Sequence, residues 1–160
     1  MRQFIGEIQI DNNVMAADPC QDPYNIFVIV EAEAKKGTWN AYVTVENKKK
    51  TIKSVEILHE NAGNCDERQW EHLGDIEVDS GQAGFFDSEY LKVNQPDNQW
   101  DRKDGKSWYR KVSDMTINVR YGCVDNRCVV SDSNGDGCYE VLYMEDETHN
   151  TIGLKLIFKF

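Results

Sequence analysis

The sequence predicts a mostly β protein: an antiparallel β-sandwich with one or two short helices, in a single domain over residues 1–160. Two observations carry this prediction. Most segments alternate apolar and polar residues with a period of two, which is the period of a strand, and helix signals are few. A length of 160 residues with 40% apolar side chains is also sufficient for one buried core. Two packed sheets are the expected result.

The strands follow from the alternation, in chain order. The first places Phe4 on the same side as Ile8 and Ile10. The segment 25–32 is instead a continuous apolar run, which is typical of a strand buried on both faces. The other predicted strands are 39–45, 51–60, 74–80, the two arms of a hairpin within 116–132 that turns at Asp125-Asn126, 138–144 and 152–160.

Helix signals occur at two places. Asn64 is a suitable N-cap and Gly74 a suitable residue just past a helix end, which predicts a short helix between them. Trp70 and Leu73 are one turn apart and would face the core. A further helical turn is predicted in 87–92.

Charge and cysteine usage restrict the classes of function. The chain has 28 acidic against 18 basic residues, a net charge of -10. This excess repels nucleic-acid phosphates and an anionic membrane surface, but it is compatible with a basic protein partner or a cation. No apolar signal region follows Arg2, and the five cysteines are an odd number. We therefore expect a cytoplasmic protein with reduced thiols, and Cys123 and Cys128 have the wrong spacing for a zinc site.

The stretch SDSNGDGCYEVLYMED contains half of a calcium-binding pattern. Asp132, Asn134 and Asp136 take positions 1, 3 and 5 of an EF-type loop, and Gly137 takes the turn position 6. Position 12 should be a bidentate Glu but is Tyr143, and a strand pattern follows instead of a helix. The sequence therefore excludes an EF-hand.

Two interpretations of this stretch remain. Asn134-Gly135 and Asp136-Gly137 tolerate a positive φ, which favours a tight hairpin turn without metal or other cofactor. The alternative is a weak site for Ca²⁺ or another divalent cation, an oxygen cage closed by Glu140 or by carboxylates from elsewhere.

A second unusual stretch is VDSGQAGFFD, residues 78–87, which contains Asp79, Gln82 and Asp87. Its glycine-rich turn resembles those that present backbone N–H groups to an anion. We favour a buried loop in which aspartates cap backbone N–H groups. A third stretch, MAADPCQDP, has turn initiators at Asp18-Pro19 and Asp22-Pro23.

Together these three stretches resemble a bacterial family known only as a domain of unknown function, domain of unknown function 4241. The resemblance spans nearly the whole chain, but the chain departs from it at Asp132-Ser133, where the family tends to have a small residue and a glycine. The family has no established activity, so the resemblance implies no catalytic role. The matching elements are G…I…ADP (6–19), VDSGQ-G–D (78–87), GDG-Y (135–139) and GL-L-F (153–158).

An enzymatic function would depend on the carboxylates. The three histidines lie in no recognisable motif, so nucleophilic catalysis has little support. Asp18, Asp79, Asp87 and Asp136 are all on turns, which cluster at the two ends of a sandwich. Several of them converging on one divalent ion would make a metal-dependent hydrolase, which is the alternative function.

The favoured function is a non-catalytic binding protein that masks a basic partner, and an immunity protein that neutralises a toxin is one version of it. We expect the contact surface at one end of the sandwich. The candidate contacts are Trp100, Glu145, Asp146, Glu147, Asp132 and Asp136.

Overall fold

The computed structural model describes residues 1–63, 70–96 and 107–158. These residues form two packed antiparallel sheets and two helices, which confirms the predicted fold class. The strands are β1 (Arg2–Ile10), β2 (Val14–Ala17), β3 (Val30–Ala32), β4 (Gly37–Val45), β5 (Ile52–His59), β6 (Glu71–Val78), β7 (Gln82–Asp87), β8 (Tyr121–Val124), β9 (Cys128–Asp132), β10 (Gly137–Glu145) and β11 (Thr151–Ile157), and the helices are α1 (Ser88–Asn94) and α2 (Trp108–Asn118).

The two sheets differ in size. The larger has the strand order β1-β4-β5-β11-β10-β6, and the smaller has the order β3-β2-β7-β9-β8. Every pairing is antiparallel. Strand β6 therefore lies at one edge of the larger sheet, and β7 lies at the centre of the smaller one. Neither described helix has the length and apolar character needed to cross a membrane.

The fold has three layers because the smaller sheet is covered on both faces. One core fills the space between the sheets, and a second lies between the smaller sheet and the helices. The first core includes Ile8, Trp39, Ile57, Ile76, Val141, Leu154, Val14, Phe85 and Val129. The second includes Met15, Phe86, Val130, Leu91, Trp108 and Val112.

Strand β7 is buried on both faces: all six of its residues are buried, as are all four of the neighbouring β2. Phe85 belongs to the first core and Phe86 to the second. The prediction of such a strand at 25–32 was wrong. Only Val30–Ala32 is a strand there; residues 24–27 before it are exposed, and Val28 and Ile29 are buried without being part of a strand. Apolar character alone did not distinguish a buried strand from an exposed turn.

A β-bulge changes the predicted faces of β1. Its register with β4 shifts between Phe4 and Gly6, so that Phe4 pairs with Tyr42 and Gly6 with Ala41. Phe4 is consequently exposed while Ile8 is buried, and the expectation that they share a side was wrong. The extra residue of a bulge reverses the alternation that the sequence pattern assumes.

The helices were predicted only in part. The turn predicted at 87–92 is confirmed as α1. Residues 71–73, expected to end a helix with Leu73 facing the core, belong to strand β6, and Leu73 is partly exposed. The start of that predicted helix at Asn64 lies outside the described residues.

Helix α2 was not predicted. Its last residues, 116–118, were assigned to the first arm of a hairpin because they continue into an apolar alternation. The hairpin itself is confirmed in β8 and β9. Its turn carries positive φ values of 52° at Asp125 and 56° at Asn126.

Four cysteines lie in the described residues, and none of these four forms a disulfide bond. Cys123 pairs with Val129 and Cys128 with Val124, so the two thiols are offset along the hairpin. They also face different cores. Cys65, the fifth, lies outside the described residues.

Candidate functional site

Asp18 holds the loop that connects β6 to β7. It is buried at the end of β2 and accepts hydrogen bonds on both carboxylate oxygens. Oδ2 accepts from the backbone N–H groups of Asp79 at 2.8 Å and Ser80 at 2.7 Å. Oδ1 accepts from the Ser80 hydroxyl at 2.6 Å and the Cys20 N–H at 2.8 Å. The 78–87 loop is therefore capped by an aspartate, but by Asp18 from another stretch and not by one of its own aspartates, as the sequence had suggested.

Gln82 joins this loop to helix α2. Its amide nitrogen donates to the Ser113 hydroxyl at 3.2 Å, and its amide oxygen accepts from the Thr116 hydroxyl at 3.0 Å. All three side chains are buried. They form one wall of a pocket of about 390 Å³, with Tyr109 and Arg120 also lining it. Sequence reasoning found Gln82 but missed its helical partners, because α2 was not predicted.

Cys20 lies beside this polar cluster, where the Gln82 amide approaches its sulfur at 3.6 Å. Burial, and then the negative charge of Asp18, raise the pKa of the Cys20 thiol to about 12. The thiol is therefore protonated at neutral pH, and nucleophilic catalysis needs a thiolate. The arrangement positions a loop and is poorly suited to attack a substrate.

Asp87 lies at the opposite end of β7. It caps helix α1 by accepting from the Tyr90 N–H at 3.3 Å, and it also accepts from the N–H groups of Asp11 and Asn12. The five-residue step from Gln82 to Asp87 separates the two ends by about 17 Å. Carboxylates that act together on one glycosidic bond lie within about 10 Å. Asp79 and Asp87 are therefore too far apart to form an acid–base pair.

The Asp-Gly stretch connects the two sheets. The strand before it, β9, pairs with β7 and β8, and the strand after it, β10, pairs with β6 and β11. The prediction of a hairpin turn was therefore wrong, because β9 and β10 do not pair with each other but belong to different sheets. Alternation of apolar and polar residues identifies a strand, but it does not show to which sheet the strand belongs. The expected backbone was right, with positive φ at Asn134, Gly135 and Gly137.

Two of the three proposed cation ligands bind protein groups. The Asn134 amide donates to the Ile52 carbonyl at 2.7 Å and accepts from the Ile52 N–H at 3.3 Å. Asp132 accepts from the Asn134 N–H at 2.8 Å and contacts Arg120 at 3.3 Å. Asp136 is exposed. Over the described ranges, no group of three or more His, Cys, Asp and Glu side chains is placed to hold a metal.

We expect Ca²⁺ at up to ~10 mM to leave the melting temperature unchanged. The Asn134 side chain already forms hydrogen bonds with Ile52, and the Asp132 carboxylate already forms an ion pair with Arg120. A bound cation would stabilise the fold by RT ln(1 + [L]/Kd), or about 1.4 kcal/mol at tenfold excess over Kd. Thermal unfolding followed by circular dichroism is the measurement. A rise in melting temperature that disappears in Asp136→Asn would establish the cation site instead.

The acidic turn after β10 is held together by hydrogen bonds between its own residues, in which Asp146 accepts from Thr148 and Asn150. The Asn150 N–H, and then the hydroxyl and N–H of Thr148, lower the pKa of Asp146 to about 2. Glu145 accepts from the His149 ring at 3.0 Å, and Glu147 is exposed.

This turn and the Asp-Gly stretch lie at opposite ends of β10, about 27 Å apart over eight residue steps. The structure thus separates Glu145, Asp146 and Glu147 from Asp132 and Asp136, which were expected at one end. Trp100, the remaining candidate contact, lies outside the described residues.

The histidines make no pairing with a nucleophile in the part of the chain that the structure describes. His59 is buried and bonds only to backbone groups. His72 contacts Glu140 at 2.8 Å, and His149 contacts Glu145. Among the described residues, none of the hydrogen bonds of these rings goes to a Ser or Cys.

The fold and these sites define a class: an acidic β-sandwich with a helical layer over its smaller sheet, whose buried carboxylates hold loops. No protein-family model, curated protein or solved structure matches the chain. The resemblance to the domain of unknown function therefore stays a prediction.

Sequence reasoning missed the exposed acidic edge at β6. Asp75, Glu77 and Asp79 alternate there with the buried Ile76 and Val78. The pattern DIEVD contains this signal, because every second residue of a half-buried strand faces solvent. The segment was recognised as a strand, but its outward residues were not considered as a surface.

Proposed function

We propose that the protein is a non-catalytic, cytoplasmic binding protein that masks a basic protein partner through the acidic edge of its larger sheet. An immunity-type role is one version of this function. The observation that carries the proposal is the row of carboxylates on the outer face of β6 and β10 and at the residue that follows β6. These are Asp75, Glu77, Asp79 and Glu140.

The arrangement of these carboxylates supports a binding role. Asp75 lies directly opposite Glu140 in the β6–β10 register. Like charges opposite each other destabilise a sheet, so this pair costs stability in the free protein. The His72 ring contacts Glu140, but β6 and β10 contain no Lys or Arg. A cationic partner would relieve the repulsion.

The net charge of -10 also attracts a cationic partner, and it does so over a longer distance than the local carboxylates. An acidic protein attracts a basic partner before contact and repels nucleic acid, so association with the partner is fast and sensitive to salt. The acidic turn at 145–147 is a weaker candidate surface. Asp146 accepts hydrogen bonds within the turn, and Lys35 and Lys36 line the groove beside it.

Neutralising the β6 edge should abolish partner capture. We expect an extract of the native host to yield a basic protein at low salt that is released as salt screens the field. The variant Asp75→Asn/Glu77→Gln/Glu140→Gln should retain at least tenfold less of it. The measurement is quantitative mass spectrometry of the proteins that copurify with each form.

The matched control removes the same number of charges from the acidic turn, in Glu145→Gln/Asp146→Asn/Glu147→Gln. It should retain the partner at close to the wild-type level. Equal retention by all three forms, or hydrolysis of a substrate by purified protein with added divalent metal, would be evidence against the binding function.

A further inference from the structure

Three large apolar side chains project into solvent within four residues. Tyr24, Ile26 and Phe27 are 67%, 75% and 83% exposed. Single exposed apolar residues are common on soluble proteins, but a contiguous group of large ones marks an interaction surface. We call the segment 24–27 the apolar knuckle.

Hydrogen bonds fix the backbone of the apolar knuckle. Asp22 accepts from the N–H of Tyr24 on its side chain at 2.9 Å and from the N–H of Asn25 on its carbonyl at 3.1 Å. Asn25 then accepts from the N–H groups of Phe27 and Val28, both at 3.1 Å. A surface that is ordered before binding loses less conformational entropy when a partner arrives.

The chain on either side anchors the knuckle next to the acidic edge. Val28 is buried in the second core, and its carbonyl accepts from the Glu77 N–H at 3.1 Å. On the preceding side, the Gln21 amide donates to the Glu77 carbonyl at 3.1 Å. The residues on both sides of the apolar knuckle therefore bind the backbone of Glu77, at the outer edge of β6, and Asp75 lies two residues from this point on the same strand.

Further carboxylates lie on the α1 side of the knuckle. The Lys92 ammonium lies 5.4 Å from the centre of the Tyr24 ring. It also lies 3.6 Å from Glu31 and 3.8 Å from Glu89, so it forms ion pairs with both carboxylates. The apolar knuckle thus has an apolar centre with a charged rim, in which Glu77 lies on the β6 side and the ion pairs of Lys92 lie on the α1 side; an apolar centre with a polar rim is the arrangement of a protein–protein interface.

We propose that the apolar knuckle is the centre of the interface, and that its occupant is a basic amphipathic segment of the partner protein. Apolar side chains of that segment would pack on Ile26 and Phe27, while Lys or Arg side chains reach Asp75 and Glu77. The inference rests on the proposed function and adds its energetic centre, because buried apolar contacts contribute most to binding. A second copy of the chain fits poorly, since it would bring two acidic edges together.

The test uses three synthetic peptides as probes: one alternating Leu and Lys, one of Lys with Ser in place of Leu, and one alternating Leu and Glu. Ile26→Ser/Phe27→Ser should raise the Kd for the Leu/Lys peptide at least tenfold. Both side chains are exposed, so the melting temperature should stay the same. The Lys/Ser peptide should bind more weakly, with a Kd that the knuckle variant does not change, and the Leu/Glu peptide should not bind.

The matched control is Ile117→Ser/Val119→Ser, which removes side chains that are 72% and 59% exposed at the end of α2. It should keep the wild-type Kd. An unchanged Kd in the knuckle variant overturns the proposal. A concentration-dependent dimer in sedimentation that this variant abolishes also overturns it, in favour of self-association.

The variant with neutralised β6 carboxylates separates the two proposals. If it weakens binding of the Leu/Lys peptide while the knuckle variant does not, the apolar centre is wrong and the acidic surface stands. If neither variant changes the Kd, both proposals fail.

Discussion

Gly84→Ala is expected to prevent the protein from folding. Gly84 lies in β7, the central strand of the smaller sheet, and pairs with Val130 on β9. A Cβ at this position would lie 1.9 Å from the carbonyl oxygen of Val129, a backbone atom that cannot move aside alone. The strands would have to separate, at a cost of about 4 kcal/mol or more. That is a large part of the roughly 5–15 kcal/mol by which a domain is stable.

Soluble yield, far-UV circular dichroism and urea unfolding measure this effect. The matched control is Gly74→Ala in strand β6, where the added Cβ would meet a methyl carbon of Val30 at 2.9 Å. A side-chain methyl can shift, so this variant should fold with a modest loss of stability. A Gly84→Ala protein that melts within a few degrees of the wild type would contradict the packing described for β7.

The strands were predictable because alternation records which side of a strand is buried, and it did so well where one face meets solvent. Strand β4 alternates buried Trp39, Ala41 and Val43 with partly exposed residues, and its bounds agree closely with the prediction. The rule failed at β7, where both faces are covered. Residues 82–87 have no polar alternation, and a continuous apolar run elsewhere, at 25–32, took their place in the prediction.

The sequence identified which aspartates belong to the candidate site, but it did not show where they lie or which groups they bind. The aspartates Asp18 and Asp87 were identified as candidate functional residues, and capping was the favoured interpretation of the loop. Which N–H groups they cap depends on contacts between residues as distant as Asp18 and Ser80, and no local pattern encodes those contacts. The separation of Asp18 from Asp87 likewise follows from strand pairing, which sets the two ends of β7.

The proposed partner surface illustrates the same limit. An exposed aromatic residue was sought in the polar segment around Trp100, because exposed apolar residues are easiest to infer in a polar loop. The apolar knuckle instead lies in the most hydrophobic stretch of the chain, where the sequence predicts burial. Its exposure depends on Asp22 and Asn25 turning the backbone, and Asp22-Pro23 was already recognised as a turn initiator.

Asp18→Ala is expected to destabilise the fold by about 3 kcal/mol. Removing the carboxylate leaves the N–H groups of Cys20, Asp79 and Ser80 without their acceptor. Each buried donor left unsatisfied costs roughly 1–3 kcal/mol, and the lower part of that range applies because these groups are only partly buried. Urea unfolding should show a lower midpoint with an unchanged slope. The expected thermal shift is roughly 6–12 °C for a chain of this size.

Asp22→Ala is the matched control for this prediction. Asp22 also precedes a proline and also accepts the N–H of the second residue after it, Tyr24 at 2.9 Å, but it is exposed to solvent. Water can replace its carboxylate, so we expect a loss of about 0.5 kcal/mol. The difference between the two variants measures the distant bonds to Asp79 and Ser80, since the local turn is common to both. Equal losses would mean that Asp18 stabilises only its own turn, and the β6–β7 loop would then need another support.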